Sequence, residues 1–182
     1  MNSGKLEKNE ISVRICGAGG QGVILFSVLL GKSAIYDNLN AIQTQSYGAE
    51  QRGTKVHSDV IISHAEVISY PVIEKADVLV AFAQDAYNFY SEDTASDVLI
   101  IINSNMVQVS EDKGQIFKIP ATELASELGN KRVANVIMYG ALLKKLGKIS
   151  TDAAMKSITD TVPKAYREIN IKAFNKGYEY NE

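Results

Sequence analysis

A cluster of glycines near the amino terminus has the spacing of a phosphate-binding turn. Gly17, Gly19 and Gly22 follow the order GxGxxG within the stretch ICGAGGQGVIL. A chain that turns at such glycines from a strand into a helix brings backbone N–H groups close to a pyrophosphate, and the helix N-terminus adds a partial positive charge. Gly20 and the bulky polar Gln21 lie in the same turn, and Gln21 is a candidate to face outward, towards a ligand or a partner. These five residues form the first candidate cofactor-binding or interface site.

A dinucleotide site requires more than glycines. A fold that binds NAD carries an acidic side chain at the end of its second strand, where it holds the ribose hydroxyls. The spacing places Asp37 before the second strand, and that strand ends at Gln45 and Ser46, so we expect no ribose clamp. A free-standing NAD-binding oxidoreductase is therefore kept as an alternative. A purely structural turn, in which the glycines only permit tight packing, also stays open.

A second glycine-framed loop, SYGAEQRGT, follows the second strand. It places Tyr47, Glu50 and Arg52 around Gly48 and Gly53. Loops at the carboxyl ends of strands carry the sites of open α/β sheets, and a right-handed crossover would bring this loop beside the first glycine turn. We therefore expect the two loops to form one rim that binds a cofactor or a partner. The alternative is a solvated loop with a weak pair of opposite charges.

Around these loops, apolar periodicity predicts alternating strands and helices. Strands are expected at residues 11–16, 41–45, 55–63, 65–69, 76–83, 96–102 and 114–120, with the third and fourth as a possible hairpin. Helices are expected from residue 23, at 84–93, at 121–129, from 131 to about 147, after the capping residue Ser150, and from Pro163. In the last of these helices, the residues expected to face inward are Ala165, Ile169, Ala173 and Phe174. This order predicts an α/β fold, namely a three-layer α/β/α, Rossmann-like single domain with a mainly parallel, mixed sheet. The domain is expected to span residues 11–182 and to follow a flexible N-terminus at residues 1–10.

Charge and cysteine content exclude several classes of function. The 182 residues carry 19 Lys and Arg against 21 Asp and Glu, so the surface lacks the basic field that nucleic acid binding needs. No apolar run reaches the ~20 residues that cross a bilayer. The single cysteine, Cys16, is expected to be a buried, inert thiol of a cytoplasmic protein, and one thiol cannot hold a four-cysteine iron–sulfur cluster. His57 and His64 are expected to be a strand and a turn residue, so no catalytic or metal-binding residue is predicted.

The two loops together resemble a known family. The stretches GAGGQGV, SYGAEQRG and HSDVIIS, the last followed by Pro71, are similar to the gamma subunit of 2-oxoacid:ferredoxin (acceptor) oxidoreductases. The similarity continues at residues 77–81 and 135–140 and includes Asn170, Ala173, Phe174 and Gly177. The family usually has two glycines after its loop arginine and often a proline before the glutamate. This chain has Gly53 followed by Thr54, and Ala49, at those places.

The resemblance implies a non-catalytic subunit of a larger enzyme. Residues 11–182 would be a gamma-type pyruvate/ketoisovalerate oxidoreductase domain that packs on alpha and beta thiamine-binding subunits, beside a ferredoxin-like subunit, and that lies on the coenzyme A side of the reaction. Thiamine diphosphate, Mg²⁺ and iron–sulfur clusters would belong to the other subunits, and ferredoxin or a similar acceptor would take the electrons. The loop version looks most like that of 2-oxoglutarate enzymes, which form succinyl-CoA. Pyruvate, branched-chain 2-oxoacids and indolepyruvate are the alternative substrates.

Overall fold

A single six-stranded sheet forms the centre of the molecule. A computed structural model describes residues 9–46, 55–65, 67–68, 70–109 and 114–181. Within these residues the strands are β1 (Glu10–Ala18), β2 (Asn40–Gln45), β3 (Lys55–Ser63), β4 (Ala76–Ala81), β5 (Thr94–Asn103) and β6 (Gln115–Ile119). Residues 65–69 were expected to form a further strand, but 65, 67 and 68 lie in a bend and in irregular chain. The hairpin expected there is wrong.

The sheet is mixed, because β3 runs against all the other strands. The strand order is β2-β3-β1-β4-β5-β6. Both neighbours of β3 pair with it antiparallel, whereas β1, β4, β5 and β6 pair parallel with one another. A short connection joins antiparallel strands readily, and β2 and β3 are joined by the segment 46–54. The mainly parallel sheet is confirmed, but β2 is not the neighbour of β1.

Six α-helices flank this sheet in the described residues. They are α1 (Val23–Tyr36), α2 (Gln84–Tyr90), α3 (Ala121–Glu127), α4 (Ala134–Leu146), α5 (Thr151–Thr161) and α6 (Arg167–Glu179). As expected, α4 ends before Gly147, which adopts a left-handed φ of 60°, and the Ser150 hydroxyl accepts the Ala153 N–H at the start of α5. The last helix starts later than expected. Pro163 opens a short 3₁₀ turn at 164–166, which leaves Ala165 exposed.

The two faces of the sheet are covered unequally. Val13 and Val80 share one apolar cluster with the large helices α1, α4, α5 and α6. Leu79 and Ala81 lie on the other face, in a smaller cluster. Among the described residues, the helical members of this cluster all come from the short α2. Side chains alternate between the faces along each strand, so both faces of the central strands are apolar. The predicted three-layer architecture is confirmed, with one thick and one thin helical layer.

Close packing of α4 against α6 sets the position of the α4 N-terminus. A Cβ atom added to Gly177 of α6 would collide with the Ile137 carbonyl oxygen of α4, and one added to Gly140 would collide with the Phe174 carbonyl oxygen. The fully buried Tyr139 packs against Phe174 at 5.5 Å between ring centroids. Glycines at these positions therefore let the backbones of α4 and α6 approach each other closely.

Candidate functional site

The first glycine turn connects β1 to α1 at the carboxyl edge of the sheet. The turn spans residues 19–22, and α1 starts at Val23 with no acidic residue in its first turn. Gly20 has a φ of 92° and Gly22 a φ of 77°, both in the left-handed region that favours glycine. The first N–H groups of a helix have no partner within the helix and carry a partial positive charge. The turn therefore presents an anion-compatible helix end at this edge.

Gln21 faces inward, not outward as the sequence suggested. Its Oε1 accepts the Ala18 N–H at 2.6 Å, and its Nε2 donates to the Phe82 carbonyl oxygen at 3.3 Å. A Cβ atom at Gly17 would lie 2.6 Å from that Oε1 and 2.9 Å from Phe82 Cβ. Gly17 thus leaves the room in which the Gln21 amide sits. The side chain ties the turn to the end of β4 and is a positioning residue for the turn.

Asn135, at the start of α4, holds the other side of the turn. Its Nδ2 donates to the Gly22 carbonyl oxygen at 3.2 Å, and its Oδ1 accepts the Val136 N–H at 3.0 Å. A Cβ atom at Gly22 would collide with the Asn135 amide. Sequence reasoning did not assign this role to Asn135. The available signal was a polar side chain at the start of a helix that is otherwise apolar through its first turns.

The second candidate loop begins and ends at the same edge. Tyr47, Gly48, Glu50, Arg52 and Gly53 lie outside the described residues. The flanking residues are described: the Ser46 N–H donates to the His57 carbonyl oxygen at 3.2 Å, and Lys55 pairs with Ala18 of β1. Both ends of the loop therefore leave the sheet at the edge that carries the glycine turn. The two loops do not follow neighbouring strands, however, because the antiparallel β3 lies between β2 and β1.

A cavity of about 420 Å³ opens next to the glycine turn on the thick helical side. Its wall includes Leu25 from the first turn of α1, Asn135 from the start of α4 and Asn170 from the first turn of α6. Arg132 and Tyr166, from the short 3₁₀ turns that precede α4 and α6, complete the polar part of the wall. Tyr166 is exposed, whereas Asn170 is buried and donates to the Tyr166 carbonyl oxygen at 2.8 Å. An apolar wall with a few polar groups and one guanidinium suits a small amphipathic ligand that carries negative charge.

The topology argues against a dinucleotide site at this turn. A dinucleotide fold places the acid of its second strand beside the glycine turn, where it holds a ribose. Here β2 lies two strands away from β1. Asp37, the first acidic residue after the turn, caps the far end of α1, where its carboxylate accepts hydrogen bonds from the N–H and the hydroxyl of Ser150.

A second polar cluster lies on the thin side of the sheet. The Arg14 guanidinium grips Asp59 with two hydrogen bonds, Nε to Oδ1 at 2.9 Å and Nη2 to Oδ2 at 2.7 Å. Burial alone would lower the pKa of Arg14, but the hydrogen bond and the charge of Asp59 raise it on balance. The Tyr90 hydroxyl lies 2.8 Å from His57 Nδ1. Burial lowers the pKa of His57 and raises that of Tyr90.

The histidine and cysteine positions agree with their expected roles. His57 lies in β3 and His64 in the bend that follows it. Cys16 is fully buried in β1, and burial raises the pKa of its thiol to about 12, so the reactive thiolate is suppressed at neutral pH. Within the described ranges, no three His, Cys, Asp or Glu side chains are grouped to hold a metal ion. No helix of the described chain is long and apolar enough to span a membrane.

Comparisons with known proteins match nearly the whole chain. A family model described as pyruvate ferredoxin/flavodoxin oxidoreductase matches residues 12–180. A 2-oxoglutarate synthase subunit, KorC, from Methanocaldococcus jannaschii is 42% identical over 172 residues, which cover 92% of this chain and 91% of that relative. The gamma subunit of a keto/oxoacid ferredoxin oxidoreductase from Geobacter sulfurreducens superposes with a TM-score of 0.82 at 35% identity, over 93% of this chain and 96% of that one.

A longer solved protein shares the fold. The 2-oxoglutarate:ferredoxin oxidoreductase from Magnetococcus marinus, with 2-oxoglutarate, coenzyme A and succinyl-CoA bound, matches with a TM-score of 0.82 at 23% identity. The match covers 94% of this chain but 31% of that one. At this identity the likeness shows the fold alone. The fold of the present chain therefore occurs both as a separate subunit and as part of a larger polypeptide.

Proposed function

Starting from the premise that this chain belongs to the pyruvate ferredoxin/flavodoxin oxidoreductase family, we propose that it is the gamma subunit of a 2-oxoglutarate:ferredoxin oxidoreductase. One observation carries the choice of substrate: 42% identity to a 2-oxoglutarate synthase subunit along almost the full length of both chains. The structural match to a separate gamma subunit supports the same assignment. The whole complex would decarboxylate 2-oxoglutarate oxidatively to succinyl-CoA, in the cytoplasm.

In this proposal the chemistry is divided between subunits. Thiamine diphosphate with Mg²⁺, bound by the alpha and beta subunits, supplies the nucleophile and electron sink for decarboxylation. Iron–sulfur clusters of a ferredoxin-like subunit pass the electrons to ferredoxin or a similar acceptor. The present chain has one cysteine, so it does not fit a four-thiolate cluster. Its task is to dock on the catalytic subunits and to shape the entrance used by coenzyme A.

The carboxyl edge of the sheet is the surface best suited to that task. The glycine turn presents a helix N-terminus there without an acidic residue in its first turn, and Arg132 lies on the wall of the adjacent cavity. Helix N-termini and guanidinium groups both favour phosphate groups, which coenzyme A carries. Arg52 belongs to the segment 47–54, whose flanking residues Ser46 and Lys55 lie at the same edge, so we include it, with Tyr47 and Glu50, in the proposed interface.

Reconstitution of the complex tests this function. The other subunits are assayed with and without the present chain for 2-oxoglutarate- and coenzyme A-dependent reduction of an artificial electron acceptor, with pyruvate, branched-chain 2-oxoacids and indolepyruvate as competing substrates. Activity should require the chain and favour 2-oxoglutarate. Full activity without it, or a preference for another 2-oxoacid, contradicts the proposal. A large thermal stabilisation of the isolated chain by NADH would instead support the dinucleotide alternative.

A substitution separates the coenzyme A role from docking alone. Arg132→Ala should raise the KM for coenzyme A roughly tenfold, because a charge-assisted hydrogen bond contributes ~1.5–3 kcal/mol, and leave the KM for 2-oxoglutarate unchanged. Lys172→Ala, which removes an exposed cation of α6 that does not line the cavity, is the matched control. Equal effects of both variants would assign the cavity no part in coenzyme A binding.

A further inference from the structure

The edge strand β2 lacks the usual protection against pairing with another strand. Its sequence, NAIQTQ, contains no charge and no proline, and it pairs with β3 in one regular register. Within the described part of the chain, no strand lies beyond it. The opposite edge, β6, carries Lys118, and its Phe117 ring is covered by Tyr180. Lysines and covering segments keep sheet edges from associating, so β2 is the edge that invites a partner strand.

The hydrogen-bond pattern shows which groups of β2 point away from the sheet. The Ser46 N–H donates to the carbonyl oxygen of His57, its opposite residue on β3. Hydrogen-bonded pairs alternate along an antiparallel ladder, so Ile42 bonds to β3, while the N–H and C=O groups of Ala41 and Gln43 are directed outward. Ala41 and Gln43 of one strand can therefore form backbone hydrogen bonds with Gln43 and Ala41 of an identical antiparallel strand.

A mainly apolar groove runs along the same edge. It has a volume of about 350 Å³ and lies between α1 and β2, with Val28, Gly31, Lys32, Ile35 and Tyr36 on one wall and Ala41 and Gln43 on the other. The Lys32 ammonium group donates to the Thr161 hydroxyl at 3.0 Å. Ile35 is 51% exposed, and a Cβ atom at Gly31 would meet nothing within 4 Å. The α1 sequence, VILFSVLLGKSAIY, has a single charged residue. A helix that is apolar on all sides is normally buried on all sides.

We propose that β2 and this groove form a two-fold interface between two copies of the chain. The β2 strands pair antiparallel about an axis at Ile42, so that Ala41 of each copy exchanges hydrogen bonds with Gln43 of the other. The axis is perpendicular to the sheet, and it brings the two α1 helices side by side on one face of a continuous twelve-stranded sheet, counted over the described strands. Each Ile35 then covers the apolar groove of the other copy.

The chemistry of β2 favours a second copy of the chain over an unrelated strand as the occupant. A C₂ interface must be self-complementary, and β2 meets this requirement because its outward groups match their own repeat and because it has no charge that would face a like charge. The two Ile42 side chains would form an apolar cross-strand pair at the axis. The uncharged strand and the exposed Ile35 are explained together by this arrangement.

The oligomeric state of the purified full-length chain tests the interface. Light scattering after size exclusion, and sedimentation equilibrium over a wide concentration range, should give twice the chain mass of 19.8 kDa. Ile35→Lys should weaken the dimer at least about tenfold, because two like charges would meet across the axis. Val67→Lys, at a side chain that is 71% exposed outside β2 and the groove, is the control and should leave the dimer intact. A monomer at all concentrations, or equal dimerisation of both variants, overturns the proposal.

Cross-linking tests the register without relying on a destabilising change. In Ile42→Cys the two thiols would face each other in a non-hydrogen-bonded pair, with Cα atoms about 4.5 Å apart, and should form an intermolecular disulfide under mild oxidation. Thr44→Cys, on the same strand and face but not opposite itself, should stay unlinked. The native Cys16 is buried and does not compete. A dimer that links equally through both positions, or through neither, refutes the pairing of β2 with itself.

Discussion

Removing the carboxylate of Asp59 should be among the most damaging single changes to the fold. Asp59 accepts two of the three side-chain hydrogen bonds recorded for Arg14, at 2.9 and 2.7 Å, and the third goes to the Ile73 carbonyl oxygen at 2.9 Å. Both side chains of the pair are 8% exposed. In Asp59→Ala the guanidinium would still donate to the Ile73 carbonyl oxygen. The other remaining partner is the Asp93 carboxylate, which lies 4.0 Å from the guanidinium and belongs to a side chain that is 60% exposed.

Loss of one partner from a buried ion pair costs ~3–5 kcal/mol, because the remaining charge is left without compensation. For a chain of this size each kcal/mol lowers the Tm by about 2–4 °C, so Asp59→Ala should melt roughly 6–20 °C lower. Circular dichroism during thermal and urea unfolding measures both quantities. Glu168→Ala, which breaks the exposed pair with Lys172, is the matched control and should leave the Tm unchanged.

The double variant Arg14→Met with Asp59→Leu distinguishes lost pairing from lost packing. Replacing both charges by apolar groups of similar size should recover most of the stability, because no unpaired charge remains in the interior. If Asp59→Ala melts as high as Glu168→Ala, the ion pair is not stabilising the sheet as argued. If the double variant melts no higher than Asp59→Ala, the cost lies in shape and not in the uncompensated charge.

Three further predictions follow from the same structure. Gly177→Ala should destabilise the chain by ~1–3 kcal/mol, because the new Cβ atom would collide with Ile137. Gly31→Ala, whose Cβ atom has open space in α1, should stabilise the chain by ~0.5–1 kcal/mol. Equal urea midpoints for the two variants would contradict the close contact of α4 and α6. Burial lowers the pKa of His57 from 6.5, so the unfolded chain binds the proton more readily than the folded chain. The free energy of unfolding should therefore fall as the pH drops below 6.5. His57→Gln should flatten this pH dependence, and an unchanged pH profile in the variant would refute the prediction. Arg52→Lys should keep the Tm within about two degrees of the parent. It should reduce assembly or turnover of the reconstituted complex at least about tenfold, because lysine lacks the planar fork of donors that arginine carries. Activity within twofold of the parent would mean that Arg52 is a solvated loop residue.

Local signals were sufficient to predict most of the elements. The helices and six of the seven expected strands follow from apolar periodicity, and helix ends follow from single residues such as Gly147 and Ser150. These features depend on neighbours within a few positions, which a sequence displays directly. The errors fall where local pattern is ambiguous. A short apolar stretch at residues 65–69 resembles a strand, and Ala165 follows a proline that delays the helix.

Strand order and side-chain direction were decided by tertiary contacts. Nothing within β3 distinguishes an antiparallel strand between β2 and β1 from a parallel strand elsewhere, because both pairings bury the same residues. The direction of Gln21 depends on the Phe82 carbonyl oxygen, 61 positions away, and the role of Asn135 depends on Gly22, 113 positions away. Such contacts exist only after the chain has closed its long loops.

The sequence by itself determined that this chain turns from a strand into a helix at its glycines, because left-handed φ values at Gly20 and Gly22 are a local requirement that glycine meets. It also determined the family, through two loops whose residue types are specific in combination. Only the tertiary structure decided that Gln21 holds the turn instead of facing a ligand and that β3 separates β2 from β1. Both outcomes depend on which distant backbone groups become neighbours, and that is determined by how the strands pair in the folded sheet.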